Sequence, residues 1–327
     1  MTGPMADSRL NMAERRLQHP FMKPATLSAA ALFLLIVGAF LWMRTLPQIP
    51  ERPLRDAPIR FNSVTLPAAA PSPLRLAAAW ELSSDDPRLQ GLSGLATDGQ
   101  RFAAISDMGF AVRFASPTTA GYGSGTFADL RDGPGPFGRK INRDAEAVMR
   151  DPAGSGWWIA YEQDHSVWHY DADFAQADRT IWLNDLGWPT NKGAEGLALV
   201  EGQPTAFAES NREMVRLGPP LARIPLPSGW DISDAANAPD GSVWLLLRRH
   251  YGAVEAIAPL IMTQGKASVG PVWPIPKGLF DNFEGMAIVA HPGGWRFWLV
   301  TDDGHRLFAR TLLVALDLDR AQENARR

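Results

Sequence analysis

Apolar and polar positions alternate along most of the chain in runs of four to eight residues, a period of two that predicts β-strands rather than helices. The runs come in pairs. A short strand rich in small residues is followed by a turn and then by a more apolar strand that ends in polar residues. The turns carry the residues that tight reversals need: Asp98-Gly99, Asp151-Pro152 with Gly154, Glu201-Gly202, Asp240-Gly241 and Pro292-Gly293. Apolar second strands are expected over residues 102–105, 157–161, 205–208, 243–247 and 296–300, and third strands over 167–170 and 312–316.

The small-residue strands repeat. They open as Leu92-Ser93-Gly94-Leu95-Ala96, Ala145-Glu146-Ala147-Val148-Met149, Ala194-Glu195-Gly196-Leu197-Ala198, Ser233-Asp234-Ala235-Ala236 and Phe283-Glu284-Gly285-Met286-Ala287. Counted from Ser93 through Glu146, Glu195 and Asp234 to Glu284, the openings lie 53, 49, 39 and 50 residues apart. That spacing, with short strands and Gly-rich turns, predicts an all-β fold, a β-propeller of five or six blades over residues 75–318. The strand at 77–82 is expected to pair with the last blade and close the ring. The stretch between Met108 and Asn142 holds either a sixth, degenerate blade or one long loop over the central opening.

Residues 25–43 are uncharged and apolar, and at ~1.5 Å per residue they cover most of a ~30 Å hydrocarbon core. They predict a transmembrane helix or signal anchor. Residues 1–24 form a cytoplasmic tail, or a mis-assigned N-terminal stretch, with the true start at Met1, Met12 or Met22. Residues 44–74, with seven prolines between Pro47 and Pro73, read as an extended linker in which an alternating run at 59–66 suggests one strand. Residues 319–327 are a charged tail. The expected location is the periplasmic side of the inner membrane, anchored through 25–43, or beyond it after signal cleavage. Arginine and lysine are evenly divided around the segment and do not orient it. Oligomeric state is not legible.

Composition narrows the chemistry. The 12 Trp sit mainly in strand-like runs and are expected to pack between sheets. With no Cys, thiol catalysis, disulfides and cysteine–zinc sites are excluded. A net charge of -3 and the lack of a basic cluster argue against nucleic acid. Gly121-Tyr122-Gly123-Ser124-Gly125 puts its serine one place late for a nucleophile elbow. His165 and His169 flank a strand-like segment, which makes a poor zinc pair.

What recurs is acid. Glu146, Glu195, Asp234 and Glu284 open first strands, while Asp107, Glu162, Glu209 and Asp302 follow second strands. In a propeller both sets can face one axial mouth. Carboxylates that close together need a counter-charge, and Ca2+, which accepts six to eight oxygens in irregular geometry, suits them best. The expected metal ligands are Glu146, Glu195 and Glu284, with Asp107, Glu162, Glu209 and Asp302 beside them. Arg143, Lys192, Arg212 and Arg248 are candidates for holding an anionic ligand. Glu195, Glu284 and His305 are candidates for proton transfer. The competing reading of each acid is structural: a carboxylate that accepts backbone N–H groups at a strand end.

At Gly91–Ala96 with Ser106-Asp107, Asp144–Ala147, Lys192–Ala198 with Glu209-Ser210, and Asn282–Ala287 with Thr301–Asp303, the chain resembles the family named for the esterase-like activity of phytase, exported bacterial propeller proteins. Two positions depart from the pattern: Met108-Gly109 after the first acid, and Arg248-Arg249 in place of the fourth. The resemblance implies a propeller. Through its loose kinship with propeller phytases, which like propeller lactonases use axial metals, it also implies an axial metal that polarises a phosphoryl or carbonyl oxygen or activates water. Two function classes follow: a metal-dependent hydrolase of a phosphate ester, carboxylic ester or lactone, or a non-catalytic propeller that binds a small ligand or partner protein of the cell envelope.

Overall fold

The computed structural model describes residues 50–67, 72–154, 156–209, 212–249, 254–278, 281–304 and 309–319. The expected membrane segment at 25–43, the tail before it, His305 and the residues after 319 lie outside the described residues. Among the described ones no helix is long and apolar enough to cross a membrane.

The strands form four-stranded antiparallel units in chain order. The first is β3 (Leu92–Thr97), β4 (Arg101–Ser106), β5 (Phe110–Ala115) and β6 (Gly121–Asp129); the second is β7 (Ala145–Arg150), β8 (Gly156–Tyr161), β9 (Ser166–Asp171) and β10 (Ala177–Trp182). The third is β11 (Ala194–Val200), β12 (Gln203–Ala208), β13 (Glu213–Arg216) and β14 (Ala222–Pro225). In the fourth, β15 (Asp231–Asn237), β16 (Val243–Arg249) and β17 (Val254–Thr263) are followed by β18 (Lys266–Val269) and the short β19 (Trp273–Pro274), both on the far edge of β17. The fifth joins β20 (Phe283–His291), β21 (Gly294–Thr301) and β22 (Leu312–Asp319) to β2 (Leu74–Ser83) from the start of the chain. The expected closing strand is therefore present. First strands touch in the cycle β3, β7, β11, β15, β20 and back to β3, so the five units ring one axis in a propeller-like array.

Packing explains the composition. Five apolar clusters fill the five spaces between neighbouring sheets. Tryptophans bridge neighbouring sheets as expected: Trp298 meets Phe102 edge-on at 5.2 Å and Trp244 meets Phe297 at 5.1 Å, while Trp80 stacks on Trp298 within the fifth sheet at 5.8 Å. The five hairpins from first to second strand reverse where the turn residues predict, with Gly99, Gly154, Gly202, Gly241 and Gly293 all at positive φ.

Two expectations on organisation are corrected. The 108–142 stretch is neither a sixth unit nor one loop, because it supplies β5 and β6 and leaves a shorter connection to β7. The linker expected over 44–74 is partly built into the fold, because residues 55–63 form a strand of the sheets. This strand, β1 (Arg55–Ser63), buries Ala57, Ile59 and Phe61, pairs with β6 along 55–61 and with β2 from Arg60, and so joins the first and fifth sheets. Pro58 is tolerated because only one neighbour flanks β1 at that point.

Candidate functional site

Each first strand breaks register once, and the break falls on the repeated motif. One residue is left without a ladder partner between Leu92 and Gly94, Ala145 and Ala147, Ala194 and Gly196, Ile232 and Asp234, and Phe283 and Gly285. The bulged residues are Ser93, Glu146, Glu195, Ser233 and Glu284. A bulge turns its side chain away from the alternation of the strand, and here it sends three glutamates toward the axis. The next residue must be small. A Cβ on Gly196 would lie 2.7 Å from the Ala235 nitrogen, and one on Gly285 would lie 2.7 Å from the Gly94 carbonyl carbon and the Leu95 nitrogen. The Glu-Gly pair is thus two requirements in one: an aimed acid and a close approach of strands.

A second ring stands beside the first. The backbone N–H groups of Asp107, Glu162, Glu209 and Asp302 donate to the carbonyls of Gly91, Asp144, Gly193 and Asn282, at 3.0, 2.8, 3.1 and 2.9 Å. Each acceptor lies two residues before its bulge. The matching position in the fourth sheet, opposite Asp231, is Arg248. What reads in the sequence as a missing acid is a cation placed among the acids.

These rings line one cavity of about 320 Å³. Glu146, Glu195, Glu284, Asp107, Glu162, Glu209 and Asp302 all reach it, and Asp144 adds an eighth carboxylate. Arg248 bridges Glu209 and Glu284 at 2.5 Å each. Lys140, carried in by the connection after β6, pairs with Asp107 and lies 3.1 Å from Asp144. Gln163 and Asn191 complete the wall, with Gln163 donating to Asp144 at 3.1 Å. Two sets of carboxylate oxygens fall within 4.8 Å of one another: Asp144, Glu146 and Glu162, and Glu162, Glu195 and Glu209.

Electrostatics follow from crowding. Burial pushes the Glu195 carboxyl well above the ordinary range; Arg248 pulls it back while Glu284, Glu162 and Glu209 push it further. Burial, then Glu195 and Asp144, does the same to Glu146. Glu162 is pushed up to about 7 by burial and by Asp144. Glu284, Asp107 and Asp302 are also raised, mainly by burial. Burial lowers Lys140 and Arg248, but their acidic neighbours outweigh it and hold both above their usual values. Glu195 is 5% exposed and accepts no hydrogen bond or ion pair from any described residue. Glu284 engages one oxygen with Arg248 and Asn282 and leaves Oε2 buried without a hydrogen-bond partner. A buried acceptor without a donor is costly, and a hard cation is the group that satisfies several at once.

Other candidates lie elsewhere or are spent. Asp234 is not the ring member of its sheet; Ser233 is. The Asp234 carboxylate accepts from Met286 N at 2.6 Å, from Ala235 N at 2.7 Å and from Leu95 N, a structural role that ties β3, β15 and β20. The three donor residues also line a second cavity of about 400 Å³. Arg143, expected to hold an anion, is buried and donates to Pro134 O at 2.6 Å and Arg131 O at 2.5 Å, pinning the connection that carries Lys140. Arg212 is an exposed turn residue at positive φ and does not line the cavity. Lys192 pairs with Glu209 at 2.6 Å without lining it. His165 faces Trp188 O, and His169 lies between Asp151 and Asp178, so the two histidines share no site. Ser93 Oγ donates to Ala145 O, which leaves no free hydroxyl nucleophile there. Sequence reading missed Lys140, Gln163 and Asn191, which sit in connections outside the repeat. Asp144 lay inside a recognised motif but was not assigned.

Residues 87–224 match the model of the phytase-like family described as esterase-like activity of phytase. The match spans the first three sheets and the motifs from Gly91 to Glu209, and shows over that segment the resemblance read from those motifs. No curated protein matches the chain. Among solved structures, similarity extends to a putative oxidoreductase (glucose dehydrogenase) from Thermus thermophilus, at 16% identity over 80% of this chain and 100% of that one, TM-score 0.41. Virginiamycin B lyase from Staphylococcus aureus is 12% identical over 77% and 83%, TM-score 0.41. Hydrazine synthase of Kuenenia stuttgartiensis is 11% identical over 64% of this chain, which spans 56% of that one, TM-score 0.38.

Proposed function

We propose that this chain is a phytase-like propeller of five blades whose axial cavity binds a divalent cation, calcium by preference. There it would hydrolyse a phosphate ester, a carboxylic ester or a lactone. The observation that carries the reading is Glu195, a buried carboxylate with no partner among seven others. Oxygen-only ligands of irregular arrangement suit calcium better than zinc, and no histidine lines the cavity among the described residues. Glu146, Glu162, Glu195 and Glu209 would hold the cation, with Asp144 beside them.

A bound divalent cation supplies a Lewis acid that polarises the scissile oxygen and makes water more acidic. The chain's own groups do the rest. Glu284, outside that ligand set and held above the ordinary carboxylate range mainly by burial, would be the group that takes or gives a proton. Glu284 Oε2 offers a further acceptor. Arg248 and Lys140 contribute N–H donors to an anionic or developing oxyanion. The expected location, with residues 25–43 as anchor, belongs to the same proposal.

The alternative is a propeller that binds a small molecule or partner protein without turnover, and the spent Ser93 hydroxyl favours it. Hydrolysis of aryl phosphates, aryl esters and lactones, with and without calcium, separates the two. Calcium-dependent turnover that falls at least ~100-fold in Glu195→Gln supports the hydrolase. Calcium binding without turnover on any of the three classes supports the alternative.

A further inference from the structure

Resting on the cation reading above, we propose that the cavity takes two divalent cations rather than one, with Glu162 as the carboxylate they share. Two arguments lead there independently. The first is geometric. The candidate ligand oxygens fall into two sets, Asp144–Glu146–Glu162 and Glu162–Glu195–Glu209, and Glu162 alone belongs to both. A carboxylate has two oxygens and about four lone-pair sites, so one side chain can serve two ions.

The second argument is charge. Eight carboxylates line the cavity against two cations, Lys140 and Arg248. If all are ionised, six negative charges stand uncompensated, or five once Lys192 on Glu209 is counted. One divalent cation leaves three or four of these in a largely buried space, where like charges that close cannot all persist. Two leave one or two. The intrinsic cations are placed to match. Arg248 covers Glu209 and Glu284 on one side, and Lys140 covers Asp107 and Asp144 on the other. Glu146, Glu162 and Glu195, between them, have no ion-pair partner among the described residues. Glu195, buried and unpartnered, is the second set's open ligand; in the first set Glu146 meets Asp144, an acid pair that a cation would relieve.

The test is stoichiometry on the full-length chain in detergent, stripped with chelator. Calcium is titrated by calorimetry, and bound calcium is counted by elemental analysis after gel filtration. The expected result is two calcium ions per chain in wild type. In Glu162→Gln, one ion should be lost or weakened at least tenfold. Glu201→Gln, an exposed acid paired with Arg216 outside the cavity, should keep two. Glu162→Asp keeps the charge on a shorter arm and guards against a folding defect; it should retain binding with one site weakened. One ion per chain in wild type overturns the two-cation proposal and leaves the cation reading standing. No bound ion overturns both. Two ions at unchanged affinity in Glu162→Gln and Glu162→Asp overturn the shared role.

Discussion

Replacing Arg248 by glutamine removes the cation that stands where the other four sheets place an acid. Its guanidinium is 2.5 Å from Glu209 and from Glu284 and is 19% exposed. Removing one partner of a buried pair typically costs about 3–5 kcal/mol, because the other charge is left uncompensated. The open mouth admits water, and Lys192 still reaches Glu209 at 2.6 Å, so the figure here falls to roughly 2–3 kcal/mol. For a unit of this size that is a drop in melting temperature of roughly 4–6 °C in chelator. Calcium in excess should recover most of it, since the ion supplies the missing charge. Arg248→Glu is the sharper variant. It restores the acid of the repeat, so it should be the less stable of the two in chelator and gain more from calcium. Differential scanning calorimetry in chelator and in millimolar calcium measures both. An unchanged melting temperature for Arg248→Gln in chelator would refute the electrostatic reasoning.

The metal-free protein should become more stable as pH falls from 8 toward 5. Glu162 has a folded value of about 7 against an ordinary 4.5, so its contribution is fully present below about 4.5 and is lost as pH rises through 7. The shift corresponds to about 3 kcal/mol, screened to roughly half that at a water-filled mouth; urea melts at several pH values check it, and stability that climbs from pH 5 to 8 contradicts it. Gly285→Ala forces a Cβ to 2.7 Å from the neighbouring strand's backbone and should cost about 2–4 kcal/mol. It should also disturb the Glu284 bulge and its pair with Arg248; a change below about 0.5 kcal/mol would mean the strands can part freely. A reporter that is active only outside the cytoplasm, fused after residue 320, should be active, and activity of a cytoplasm-only reporter there would overturn the expected topology.

The repeat was legible because it encodes a local geometry. A bulge followed by a close backbone approach demands an aimed residue and then a small one, and Glu-Gly, Glu-Ala and Ser-Gly all satisfy it. The same economy misled at the fourth repeat. Ser233-Asp234 fits the pattern in either register, and only the pairing with β16 shows that Ser233 is the bulge. Asp234 then takes the place of the small residue, which it can because three N–H groups receive its carboxylate. Arg248 read as a departure because a counter-charge has no meaning until the acids around it converge. Lys140 was invisible for a different reason: it belongs to a connection whose course is set by buried Arg143, not by any period. β1 was read as mostly linker because its prolines signal extension as strongly as its alternating Ala57, Ile59 and Phe61 signal a strand.

The central claim is that the convergent carboxylates exist to hold a cation. The most direct measurement is melting temperature against calcium concentration for wild type and Glu195→Gln. A ligand at one hundred times its dissociation constant stabilises by about 2.7 kcal/mol per site, which predicts a rise of at least about 5 °C in wild type. In chelator Glu195→Gln should melt higher than wild type, because a buried, unpartnered charge is gone. In excess calcium the order should reverse, because a ligand is gone. Curves that calcium leaves unmoved in both proteins would contradict the account and return the acids to a structural role.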